Sequence, residues 1–118
     1  IDPIIPVGRW TSGYRKLVDN IDRIMPKKSV DRITLGTLRL TPALLGAARK
    51  ERDFRLPESA LALESDGWYR FPVFLRRMAY RFVKDEIKSA RPEIVVTLCK
   101  ELRELCVEFD RKLRCVCV

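Results

Sequence analysis

Short runs of β-branched and aliphatic residues alternate along this chain with stretches whose apolar residues recur every three or four positions, and that alternation sets the fold class. Residues 1–7 are apolar but interrupted by Pro3 and Pro6, which lack the N–H of a sheet ladder, so they predict a short strand leaving into a loop. A helix is expected from about Ser12 to Met25, capped by Thr11 or Ser12, with Tyr14, Leu17, Val18, Ile21, Ile24 and Met25 on one face. Pro26 stops it. Within 30–40, Ile33, Leu35, Thr37 and Leu38 predict a strand, and Gly36 marks a bulge or a close backbone approach. Thr41 then reads as a cap with Pro42 at the first helical position, opening a short helix to Arg49. Leu61 and Leu63 alternate with Ala60, Ala62 and Glu64, Ser65–Gly67 is a turn signal, and Trp68, Tyr69 and Phe71 surround Arg70, which together predict a hairpin. Phe74–Ala90 is the clearest helix, apolar on Leu75, Met78, Ala79, Phe82, Val83 and Ile87. Ile94–Leu98 has strand length, and Lys100–Leu113 is a last helix with Leu102, Leu105, Cys106, Phe109 and Leu113 on one face.

The order β-α-β-α, a hairpin insert, then α-β-α predicts an α/β fold of short parallel strands covered by helices. A chain of 118 residues holds one domain, residues 1–118, around one core. Three strands are few for a parallel sheet, which is normally buried on both faces. The expectation is therefore part of a larger barrel or sheet, or a unit that pairs with another copy of itself. The apolar runs fall far short of the ~20 residues a membrane helix needs, so no membrane partner is expected.

There is no histidine, which removes imidazole acid-base catalysis, Ser-His and Cys-His dyads and every His-containing zinc site. Lys and Arg number 24 against 16 acids, a net +8 that favours a polyanionic partner. Arg77, Arg81, Lys84 and Lys88 form a basic stripe on the longest helix, able to track phosphates or to serve only as a solvated face. The turn at Asp66–Phe71 offers aromatics beside Arg70, suited to stacking on bases, or to packing the hairpin onto the domain. Cys99 follows a strand at its C-terminal end, the edge where parallel α/β sheets carry ligands. Cys106 lies on an apolar helix face, and Cys115 and Cys117 close the chain; no CxxC pair, zinc spacing or Gly-rich phosphate loop is present, so no metal site is expected. With no leader at the start and no disulfide framework, the expected compartment is the cytoplasm.

Several stretches resemble the C-terminal part of the spore photoproduct lyase family of radical SAM proteins. Residues 1–6 (IDPIIP) followed by Trp10, Tyr14 and Arg15 resemble that family's "NPVIP…W…DY"; residues 32–40 (RITLGTLRL) are similar to its "ISLGTFR"; residues 66–72 (DGWYRFP) with Arg76, Arg77, Met78 and Tyr80 resemble "DGKYRYP…R.EMY"; and residues 95–100 (VVTLCK) are similar to "IYLCME". The resemblance covers nearly the whole chain and implies a partial (βα) barrel. In the full-length family it implies a [4Fe–4S] cluster and S-adenosylmethionine, whose radical reverts a methylene-bridged thymine dimer in DNA. It also implies a hairpin beside the lesion, with Tyr69 and Arg70 as the best-matched contact residues and Phe71 beside them. The cluster-binding Cx3Cx2C triad is absent from these 118 residues, as are the early barrel strands. Two readings follow: the C-terminal segment of a DNA-repair lyase, partnered by the missing N-terminal barrel half, or a stand-alone basic α/β module that binds nucleic acid without catalysis.

Overall fold

A computed structural model describes residues 1–51 and 60–110. In chain order the elements are α1 (Trp10–Ile24), β1 (Arg32–Leu35), β2 (Arg39–Leu40), α2 (Pro42–Arg49), β3 (Ala62–Leu63), β4 (Tyr69–Arg70), α3 (Val73–Ala90), β5 (Val95–Leu98) and α4 (Arg103–Phe109). The protein is mixed α/β, with a small parallel sheet and a small antiparallel one. β1 and β5 run parallel, Ile33 beside Val96 and Leu35 beside Leu98. The expected third parallel strand contributes a single bridge, Ile4 to Thr37. Pro3 and Pro6 explain why it goes no further, since neither can donate to the ladder around the Ile4 N–H···O=C Gly36 bond. β2, β4 and β3 form the antiparallel sheet with β4 in the middle.

Side chains alternate across a strand, so Ile33, Leu35, Val96 and Leu98 share one face of the parallel pair. Leu35, Val96 and Leu98 join Val18 of α1, Ala79, Val83 and Ile87 of α3 and Leu105 and Phe109 of α4 in one core. The other face carries Thr34 and Thr97, whose hydroxyls lie 3.1 Å apart.

α1 begins at Arg9 without a side-chain cap, and Ser12, inside the first turn, donates its hydroxyl to the Arg9 carbonyl instead of capping the helix. α2 matches its expectation: Thr41 Oγ1 accepts from the Leu44 N–H at 3.2 Å, with Pro42 at the first turn. Gly36 is a close approach, since a Cβ there would sit 2.8 Å from the Asp2 carboxyl carbon. α4 is shorter than expected at both ends; Leu113, Cys115, Cys117, Glu58 and Pro57 lie outside the described residues.

The apolar face of α3 is rotated from the expected one. Its buried residues are Arg76, Ala79, Tyr80, Val83 and Ile87, whereas Met78 is half exposed. Steps of three and four from Arg76 trace this face. It buries an arginine because two acidic side chains wait for it, as described below. At the other end of α3, Arg91 donates to Asp22 Oδ1 (2.7 Å) and to the carbonyls of Asp22, Met25 and Pro26, fastening the end of α1 to the end of α3. Among the described residues no buried side-chain polar atom lacks a partner.

Candidate nucleic-acid site at the strand ends

β1 and β5 both point their C-terminal ends toward the hairpin. Past Leu98, the Cys99 N–H still bonds the Leu35 carbonyl at 2.8 Å, and the chain then turns through Lys100, a non-glycine residue at φ +49°. Left-handed backbone outside glycine is uncommon and concentrates at functional loops. The hairpin reverses at Gly67, φ +88°, with Asp66 Oδ1 accepting from the Trp68 N–H at 3.1 Å, so the Asp-Gly pair supplies both the bend and its local hydrogen bond.

A chain of charged side chains locks the hairpin to the strand ends. Arg70 Nη1 donates to Glu64 Oε1 (3.0 Å) and Asp66 Oδ2 (2.8 Å), and Arg70 Nη2 to the Lys100 carbonyl (3.4 Å). Glu64 also accepts from Arg76 Nη1 (3.3 Å). Arg76, fully buried, grips Glu101 through Nε (3.1 Å) and Nη2 (2.9 Å), and Glu101 accepts from the Tyr80 hydroxyl at 2.7 Å. The Tyr80 oxygen in turn accepts from the Thr37 N–H just past β1. Burial, and then the Glu101 carboxylate, push the Tyr80 phenol well above its ordinary value, so it stays a neutral donor. The Arg70 guanidinium holds Asp66 below the usual carboxylate range.

Between the hairpin and the loop after β5 lies a cavity of about 480 Å³ lined by Arg39, Asp66, Trp68, Arg70, Lys100, Glu101 and Leu102. Arg39, Trp68 and Lys100 also line a smaller neighbour of about 220 Å³ that reaches Asp2, Pro3 and Leu38. Arg39 is held by both Asp2 oxygens, at 3.1 and 3.3 Å. The result is an indole and two cations, with the carboxylates Asp2, Asp66 and Glu101, lining adjoining cavities at the carboxyl edge of a parallel sheet, the edge where such sheets take ligands.

The sequence-predicted residues divide between two places. Tyr69 is half-buried on β4, opposite Leu40 and Leu63; Arg70 is turned inward on its carboxylates; Phe71 is fully buried. Trp68 and Tyr69 are thus half-buried while Arg70 and Phe71 are buried. β4 is only two residues long, and the chain leaves it at Phe71. Cys99 is half-buried at the end of β5. Arg77 and Arg81 face α4 instead, where both meet Glu108. Lys84 donates to the Phe109 carbonyl and Lys88 to the Pro92 carbonyl. Arg39, Lys100 and Glu101 were not foreseen as site residues. A signal for them exists in the sequence, since each follows a strand end within a few positions.

Comparison with protein-family models, curated protein sequences and solved structures finds no match. Among the described residues no helix is long and apolar enough to cross a membrane, and no group of three or more Cys, Asp or Glu side chains is placed to hold a metal ion.

Proposed function

We propose that this chain is a nucleic-acid-binding α/β unit whose strand-end cavity receives an unstacked nucleotide, and that it corresponds to the C-terminal segment of a DNA-repair lyase similar to spore photoproduct lyase. The observation that carries the reading is the convergence of Arg39, Trp68 and Lys100 on one cavity at the strand ends. Trp68 offers a stacking platform for a base, and Arg39 and Lys100 offer cations for the flanking phosphates. Tyr69 lies outside the cavity lining, opposite Leu40 and Leu63, and Arg70 holds the turn in place through Asp66 and Glu64. A partial (βα) barrel is supported by the sheet itself: helices cover the face of Leu35, Val96 and Leu98, and the polar face of Thr34 and Thr97 is of the kind that can line a barrel interior.

The [4Fe–4S] cluster of the family would need three thiolates. The described cysteines, Cys99 and Cys106, do not form such a set, so no step of cluster chemistry is assigned to this chain.

Fluorescence anisotropy with a short single-stranded oligonucleotide tests the reading. Stacking of one base contributes ~1–3 kcal/mol, so Trp68→Ala should weaken binding by about tenfold or more while leaving the melting temperature close to that of the parent. Unchanged affinity in a folded Trp68→Ala variant would overturn the assignment.

A further inference from the structure

α3 presents Arg77 and Arg81 one turn apart on the same face, and both converge on a single side chain. Arg77 Nε lies 3.0 and 2.9 Å from the two carboxylate oxygens of Glu108, and Arg81 Nη2 lies 2.7 Å from one of them. Two guanidinium groups around one oxyanion is the arrangement by which arginine recognises phosphate. Here the oxyanion is supplied by α4 of the same chain. All three side chains reach water, being 38%, 62% and 31% exposed. An ion pair so open to solvent is readily exchanged for another partner.

What holds α4 in place lies elsewhere. Leu105 and Phe109 are buried in the core, and the Lys84 ammonium bonds the carbonyl of Phe109 at 3.1 Å and sits over its ring. Glu108 can therefore swing away from α3 without releasing the helix. The same face continues to Lys88, so an extended polyanion arriving along α3 would meet further positive charge.

We propose that Glu108 is a built-in stand-in for a nucleic-acid phosphate: it occupies the anion site formed by Arg77 and Arg81, and a backbone phosphodiester binds there by displacing it. The proposal rests on nucleic acid being the partner, and it adds a second contact site, separate from the strand-end cavity, whose strength is set by an internal competitor. Glu108 thereby lowers affinity for polyanions at large and favours a nucleic acid already anchored in the cavity.

The test is oligonucleotide binding at low and physiological salt by five variants of the full chain. Glu108→Gln keeps the size of the side chain and removes its charge, and should raise affinity at least about threefold. Glu104→Gln removes one charge one turn earlier on the same exposed helix, and should change affinity much less. In an Arg77→Ala/Arg81→Ala background, Glu108→Gln should have no further effect. Equal gains from Glu104→Gln and Glu108→Gln would reduce Glu108 to a diffuse charge and overturn the proposal, as would no gain from Glu108→Gln in a chain that melts like the parent. The last variant, Trp68→Ala, separates the two sites. If Trp68→Ala weakens binding while Glu108→Gln is silent, the cavity stands and the stand-in fails. If Glu108→Gln strengthens binding through Arg77 and Arg81 while Trp68→Ala is silent, the stand-in stands and the cavity reading fails. Binding of Glu108→Gln to vesicles of anionic lipid but not to the oligonucleotide would overturn the choice of nucleic acid as the partner.

Discussion

Arg76 and Arg77 are adjacent, identical in chemistry and opposite in role. Arg76 has no exposed surface, and its partner Glu101 has almost none, so each is the main counter-charge of the other. Removing one member of a buried ion pair leaves an uncompensated charge out of water, at a cost of ~3–5 kcal/mol. Arg76→Ala should therefore unfold at much lower denaturant than the parent, whereas Arg77→Ala, which breaks an exposed pair, should stay within about 1 kcal/mol of it. Urea titration followed by circular dichroism decides; equal midpoints for the two variants would contradict this account. The difference is written in helix phase, because Arg76 lies three, four and seven residues before Ala79, Tyr80 and Val83. A reading by hydrophobicity misses it, since it assigns every arginine to solvent and brings Met78 into the core in its place. What makes Arg76 an inward residue is a pair of carboxylates, Glu64 and Glu101, that only the tertiary fold brings to it.

At the scale of elements, the long amphipathic helices and the two four-residue strands follow from local spacing, and the short elements depend on their neighbours. β2, β3 and β4 have two residues each and exist because they pair with one another. α4 is a seven-residue helix held by contacts with β5 and, through Phe109, with Tyr80 and Lys84 of α3. The hairpin turn is fastened by a carboxylate that an arginine stabilises in the charged form, Asp66 by Arg70; Glu108 is stabilised in the same way by Arg77 and then Arg81, but α4 is held by Leu105, Phe109 and Lys84 and does not depend on it. A carboxyl group whose folded pKa is lowered contributes stability that is complete above its unfolded value, near ~4, and is lost as pH falls through the folded value. Hydrogen exchange, corrected for intrinsic rates, should thus show unchanged protection of the hairpin at neutral pH. It should fall at acid pH below the ordinary carboxylate range, earlier than for the amides of β1 and β5. Simultaneous loss of protection in all elements would place the acid-sensitive groups elsewhere.

For the molecule as a whole, the net charge of +8 overstates the cationic surface open to a partner. Arg70, Arg76 and Arg91 are buried on carboxylates and carbonyls. The cations placed for a partner gather at two sites: Arg39 and Lys100 at the strand ends, Arg77 and Arg81 along α3. Lys27 and Lys28 line a separate cavity beside Asp22, Ala90 and Arg91. Composition predicts an attraction to polyanions but cannot divide it among these places, because the loops that meet at the strand ends are far apart in sequence. Salt dependence measures the division. Each phosphate neutralised on a single strand contributes about 0.7 to the slope of log K against log salt, so three or four contacts give a slope of roughly −2 to −3. Lys100→Ala should shallow that slope by about 0.7, one phosphate's worth. Lys27→Ala/Lys28→Ala removes twice the charge and should weaken binding only slightly, leaving the slope unchanged, because its two cations lie outside the path of the strand. If the paired substitution shallows the slope as much as Lys100→Ala or more, the charge acts as a diffuse field, and the strand-end cavity is not where the backbone is held.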